Sequence, residues 1–211
     1  MSPIRRLLFL ALLPLAAFAA EGPAPALMER ADKIVAALRL ADAAQTARVR
    51  DLVAGQYHTL AQIHDARDAK LASLKADPAL ADPAREAART AALDAADAAQ
   101  MRAHYAYLAT LSVELDATQI EQIKDGMTYG VAPNTFRVYQ EMLPTLTADQ
   151  KRQLLAWLHE AREHAMDAGS SKEKHAWFGK YKGRINNYLA KAGIDMKQAE
   201  KDMFARQKAA P

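Results

Sequence analysis

From Asp42 onward the apolar residues recur at helical spacing, and nowhere does the chain alternate apolar with polar as a half-buried strand would. Val49, Val53, Leu60, Ile63, Leu71 and Leu74 form one stripe, which predicts a long helix with Asp42 at its start. Gln45, three residues on, completes the pattern of a capping box. The segment "KADPALADP", residues 75–83, then breaks the chain twice at Asp-Pro. A second long helix is expected from about Pro83 to Leu111, with 12 alanines among residues 84–109. Alanine has the best helix propensity, and its short side chain lets helices approach closely. The two long helices should therefore pair as an antiparallel hairpin.

The same grammar repeats downstream. Asp116 with Gln119 and Thr147 with Gln150 read as N-cap and N3 of two further helices, with Leu115 and Ile120 as a hydrophobic staple on the first. Gly169 ends one helix and Ser170, set against Glu173, starts the next; Gly193 and Asp195 repeat the arrangement. "GMTYGVAPN", residues 126–134, holds two glycines and a proline and is expected to be a loop. The fold class is all-α: a helical bundle with a long antiparallel Ala-rich hairpin plus four or five shorter helices, one domain over residues 27–207.

The N-terminus follows other rules. Arg5 and Arg6 precede a short apolar run, Leu7 to Leu15, and Ala17 and Ala19 supply small residues at a cleavage position. This predicts an export signal over residues 1–19, then a disordered Pro-rich leader over 20–26. The apolar run is short for a stable membrane anchor. The chain has 28 basic and 25 acidic side chains; without the two arginines the balance is 26 to 25, which gives no electrostatic basis for nucleic-acid binding. Charge is uneven, with ten Lys or Arg against four Asp or Glu from Lys172 to Pro211. Cysteine is absent, so an exported domain must be held by its core rather than by disulfides.

Two stretches carry more chemistry than packing requires. In "QYHTLAQIHDARDAK", residues 56–70, Arg67 intrudes on the apolar stripe between Ile63 and Leu71. A hairpin folded about residue 79 would set Asp94 and Asp97 opposite Arg67 and His64, either as an ion-pair network fixing register or as a polar pocket including Tyr57, His64, Asp65, Arg67 and Asp68. In "HAWFGKYKGRINNYL", residues 175–189, Trp177, Tyr181, Arg184 and Tyr188 fall on one helical stripe, and Phe178, Lys182, Ile185 and Leu189 on the next. Gly179 and Gly183, four apart, would leave a smooth strip beside them. Aromatic faces stack on the apolar face of a sugar, and Arg pairs bidentately with carboxylate or sulfate groups. The expected site joins Trp177, Lys180, Tyr181, Lys182 and Arg184 to Tyr129 and Asn134. "HEAREHAMD", residues 159–167, departs from both zinc-protease helix motifs, because residue 163 is Glu and so is residue 160. No metal and no cofactor is expected.

"VRDLVAGQYHTLAQIHDARDAK", the segment from "KDGMTYGVAPNTF" through "KGRINNYL", and "AGIDMKQAEKD" resemble an exported bacterial family catalogued as domain of unknown function 3826, over about Ala26 to Asp202. That resemblance implies sugar binding and supplies no catalytic residues. "LTADQ" and "LDATQ" more loosely resemble the periplasmic L-T-x-x-Q chaperones, small helical proteins that shield unfolded clients. The expectation is an exported, non-catalytic carbohydrate-binding protein, periplasmic or secreted. A chaperone-like or envelope-associated helical protein is the alternative. A glycan-processing enzyme is the third, with Asp65, Asp68, Asp125 and Asp167 as its candidate acids.

Overall fold

A computed structural model describes residues 23–209, and every regular element among them is a helix. In order these are α1 (Pro25–Ala36), α2 (Ala43–Ala76), α3 (Asp82–Glu114), α4 (Ala117–Met127), α5 (Val131–Met142), α6 (Ala148–Met166), α7 (Ser171–Lys191) and α8 (Met196–Ala209). The bundle and its long hairpin are as the sequence indicates, with six shorter helices instead of four or five. The expected signal, residues 1–19, lies outside the described residues. The leader needs correction: α1 begins at Pro25, inside it, because proline at the first helical position gives up an N–H that has no partner there and is already set at helical φ.

Most caps form where the sequence places them. Asp116 with Gln119 and Thr147 with Gln150 make complete capping boxes. Ser170 accepts from the Glu173 N–H, and Asp195 from those of Lys197 and Gln198. Gly193 adopts φ 82° beyond α7, the left-handed conformation that glycine takes without strain. Asp42 caps α2 through the Ala44 N–H, but Gln45 does not complete a box. Its amide instead donates across the hairpin to the Glu114 carbonyl, where Arg48 also grips the Glu114 carboxylate with two bonds of 2.9 Å. The Gln45 side chain thus fastens the start of α2 to the end of α3.

At the other end of the hairpin Arg85 donates to the carbonyls of Leu74, Asp77 and Leu80, satisfying backbone acceptors that the turn leaves open. Burial along the pair is unequal. The buried side chains of α2 are concentrated between Val49 and His64, and α3 buries only Tyr107 and Leu111. Between Asp65 and Ala103 only Leu74 is buried, so the alanine-rich part is an arm standing off the bundle.

Two hydrophobic cores fill the rest. The first draws on α1, the first half of α2, the end of α3 and α4, and takes Met166 from α6. The second is built by α5, α6 and α7, with Ile194, Met196 and Ala199 packed against it. Each fully buried Leu, Ile or Phe contributes about 1.5–3 kcal/mol, so both cores are substantial. Gly126 allows α1 to approach α4: a Cβ there would lie 2.8 Å from a methyl carbon of Ile34. The expected 126–134 loop shrinks to Thr128–Gly130, with Tyr129 and Gly130 both at positive φ (60° and 63°). Asn134 is already in α5, where it accepts from Arg137.

Candidate functional site

Helix α7 is the organising element. Its Phe178, Ile185 and Leu189 are core, as their stripe suggests, and Tyr181 is buried beside them. Toward α6 the same helix presents a strip of rings and cations. Trp177 stacks on His164 (centroids 4.3 Å apart, planes 12° from parallel), and the Lys180 ammonium sits 4.9 Å from the Trp177 ring. Arg184 lies 4.6 Å over Trp157, which meets the edge of Tyr188 at 5.3 Å, and Arg184 reaches Glu160 at 3.4 Å. Two shallow grooves of about 410 and 560 Å³ follow this face and share Lys180 and Arg184, so they lie side by side along one strip. Burial and the Glu160 carboxylate push the Tyr181 hydroxyl up to about 12, leaving it a neutral donor at physiological pH.

A polar seam joins the two cores below α7. Arg162 of α6, 2% exposed, donates to Asp125 (2.7 Å), to Glu121 and, at 3.4 Å, to Glu163. Lys124 adds a second cation, 3.2 Å from Glu163 and 3.3 Å from Glu121. Desolvation works against the Glu121 charge, yet the Arg162 guanidinium holds its carboxyl below the ordinary value. Farther along, His104 Nδ1 lies 2.8 Å from the buried Asp167 carboxylate, which raises the histidine's pKa. His64 Nε2 stands 2.7 Å from the Asp167 carbonyl oxygen. A carbonyl only accepts, so Nε2 carries the proton and Nδ1 is left as an acceptor, buried and without a partner among the described residues.

Lys174 closes the seam at the start of α7. Its ammonium, on a side chain 3% exposed, donates to the Ala165 and Met166 carbonyls at 2.9 and 2.8 Å, capping the end of α6. Burial lowers its pKa to about 8. Both Lys174 and Arg30 of α1 face the Tyr57 ring, at 5.8 and 5.3 Å, and burial pushes the Tyr57 hydroxyl up to about 12. These residues, with His64, Tyr129, Ser170 and Ser171, border a cavity of about 200 Å³.

A family profile described as "Protein of unknown function (DUF3826)" matches residues 25–209, which takes in the strip, the seam and the cavity together. The chain belongs to this family. A comparison with curated proteins found no match.

Within this DUF3826 domain the residues singled out from sequence divide among several places. Trp177, Lys180, Tyr181 and Arg184 share the strip. Lys182 leaves it: it lines a hollow of about 520 Å³ between α5, α7 and α8 with Asn134, near the bond from the Tyr139 hydroxyl to Asn186. Tyr129 also leaves it, stacking on His175 and joining Tyr57 and His64 at the small cavity. Asp65 and Asp68 are exposed on the arm. Arg67 bonds to Asp68 at 2.7 Å instead of crossing to Asp94, because the adjacent carboxylate is reached without spanning the hairpin; Asp97 acts on it only through space. His64 turns toward α6 and away from Asp97. Gly169 is not a left-handed cap; it makes room for His64, whose Cδ2 a Cβ would meet at 3.0 Å.

Sequence reasoning missed Arg30, His104, Trp157, Arg162 and Lys174 as site residues of the DUF3826 domain. Two of them left a readable signal. Lys174 precedes Phe178, Tyr181 and Ile185 by 4, 7 and 11 residues, and Arg162 follows Leu158 by four, so each places a cation on a buried stripe. Arg30 and Trp157 gave no comparable sign. Among the described residues no cluster of three His, Asp or Glu side chains is disposed to hold a metal ion, and no helix is long and apolar enough to cross a membrane.

Proposed function

We propose that the chain is an exported, non-catalytic carbohydrate-binding protein whose binding face is the α7 strip. Export rests on the charged, apolar and small-residue sequence of its first 19 positions. The observation that carries the binding proposal is the grouping of rings and cations on one face: Trp157, Trp177, Tyr188, Lys180 and Arg184 border two adjacent grooves that have Lys180 and Arg184 in common. The stack on His164 fixes the Trp177 ring before any ligand arrives, which lowers the ordering cost of binding. Lys180, Arg184 and Lys191 face this surface against one carboxylate, Glu160, which favours an acidic saccharide. Hydrolysis of the two-acid type needs a pair of carboxyl groups about 5–10 Å apart across the sugar. Of the acids considered, Asp125 is engaged by Arg162 and Asp167 lies against His104, while Asp65 and Asp68 lie on the arm. The test is a glycan array probed with wild type, Trp177→Ala and Arg184→Ala, each checked for helicity by circular dichroism. The expected result is a wild-type hit weakened at least about tenfold in both variants. Equal binding by Trp177→Ala overturns the assignment.

The arm supports a second reading, client shielding. Ile63 and a row of alanines including Ala88, Ala92, Ala95 and Ala99 line an apolar groove of about 680 Å³, and Met101, Tyr105 and Val113 are exposed on α3. Suppression of client aggregation without any sugar, lost on placing Glu at Ala92 and Ala95, would select it.

A further inference from the structure

The cavity between α1, α2 and the start of α7 is chemically different from the strip. Two cations border it, and each lacks a carboxylate within ion-pairing distance among the described residues. Arg30 faces the Tyr57 ring and acts on the Tyr57 hydroxyl, but has no ion pair among the described residues. Lys174 spends two of its three N–H donors on the α6 carbonyls and has one left over. Asp167 and Glu173 act on Lys174 only through space. The first turn of the 21-residue α7 opens on the same cavity at Ser170 and Ser171; Ser170 Oγ takes the Glu173 N–H, and the N–H groups of Ser171 and Lys172 have no intrahelical acceptors. Independently of the helix end, Lys174 is more than nine-tenths buried on the cavity wall with its third donor unspent, and the buried His64 ring packs beside it. The Tyr57 and Tyr129 rings complete the walls. A buried cation without a counter-charge is costly unless something pairs with it. A space of about 200 Å³ equals the bulk of roughly six or seven waters at about 30 Å³ each, enough for one compact oxygen-rich residue.

We propose that this cavity is an oxyanion site that seats one sugar acid, its carboxylate between Lys174, Arg30 and the first N–H groups of α7. The preference for an anion stands on the cavity alone; the choice of a sugar as its body rests on the saccharide reading of the α7 strip. Inorganic sulfate or phosphate presents the same chemistry without that body. Glu173, at the first turn of α7, sets an upper limit on charge: a monoanion is favoured over a polyanion.

The test is titration calorimetry at pH 7 with glucuronate, glucose and inorganic sulfate as separate probes. Wild type, Arg30→Gln, Lys174→Met and Trp177→Ala are compared, each first shown to be folded by circular dichroism. Arg30 is on the surface of α1, so its variant tests the site even where Lys174→Met loses stability. The expected result is saturable glucuronate binding, at least about tenfold weaker for glucose and for both cation variants, as for loss of a hydrogen bond to a charged group. Glucuronate binding that survives in Trp177→Ala and is lost in Arg30→Gln belongs to the cavity; binding lost in Trp177→Ala and kept in Arg30→Gln belongs to the strip and overturns the proposal. Sulfate that competes with glucuronate at equal concentration also supports an oxyanion site, and assigns it to a free oxyanion instead of a sugar acid. Glucose binding as tightly as glucuronate overturns the proposal, as does wild-type affinity in Arg30→Gln or the absence of saturable binding by both anions. Because the strip is tested through Trp177 and the cavity through Arg30, failure of one is distinguishable from failure of the other.

Discussion

Replacing Lys174 by Met tests the energetics of the seam directly. The lysine is buried, and its pKa falls from an ordinary 10.5 to about 8, mainly through desolvation. That drop, at about 1.36 kcal/mol per pH unit, corresponds to roughly 3 kcal/mol between the charged and neutral forms. Below pH 8 both folded and unfolded chains hold the proton, and the folded state bears the full cost. Between pH 8 and 10.5 the unfolded chain keeps a proton that the folded chain has released, so the lysine's contribution to stability rises with pH and levels off above 10.5. Met cannot titrate, so its variant lacks this rise. It also withdraws a donor from the Met166 carbonyl, at about 1–3 kcal/mol, while the Ala165 carbonyl still accepts from the Ala168 N–H. At pH 7.5 the two effects nearly cancel, and the pH dependence becomes the diagnostic. Urea unfolding at pH 7.5, 9 and 10 should show wild type gaining roughly 2–3 kcal/mol on Lys174→Met across the series. Tyr57, raised to about 12, lowers stability above pH 10, but it is common to both proteins, as are Arg30, His64, Asp167 and Glu173. A gap that stays flat from pH 7.5 to 10 refutes the reasoning. Saturating glucuronate, by pairing with the ammonium, should itself flatten the slope.

Gly179 and Gly183 have no atom within 4 Å of where a Cβ would stand, so each Gly→Ala change should stabilise the protein to thermal unfolding by about 0.5–1 kcal/mol, while Gly183→Ala weakens binding on the strip it borders. Gly169→Ala should cost about 1–3 kcal/mol, because its Cβ would press on the buried His64 ring. Arg162→Met leaves Glu121, Asp125 and Glu163 facing one another and should cost about 3–5 kcal/mol by urea unfolding, a deficit that narrows in acid as the carboxylates protonate. His104→Gln removes a group whose folded pKa lies above its ordinary 6.5. Its stabilising effect is fully present below 6.5 and lost as pH rises through the folded value, so the variant's deficit should be larger at pH 6 than at pH 9.

The helices were legible in the sequence because their signals are local. A cap such as Thr147 or Asp116 and an apolar stripe such as Val49, Val53 and Leu60 both act within a few turns. Where a local signal met a long-range competitor, the competitor won: Gln45 left its own helix start for the Glu114 carbonyl, 69 residues away. The site was half legible for the same reason. Trp177, Tyr181 and Arg184 share a face by periodicity within one helix. The partners that make that face a groove, Trp157, Glu160 and His164, come from α6, and only packing angle and register bring them there. Tyr129 and Lys182 were misgrouped because a stripe does not say which neighbour it meets. The pairing of His64 with Asp167, 103 residues apart, has no trace in spacing at all.

The division into two cores also follows the order of the chain. Everything in the first core lies between Ala31 and Met127, except Met166; the second core begins at Ala132. A chain delivered N-terminus first can therefore assemble α1–α4 before the remainder has appeared, since domains generally fold as units during synthesis. The nascent half would wait with one gap in its interior, with Glu121 held only by its helix neighbour Lys124 and Asp125 still without a cation. Helix α6 resolves both at once, bringing Met166 to the gap and Arg162 to the two acids. It is a late-arriving latch, and its docking marks the moment at which two successive folding events become one protein.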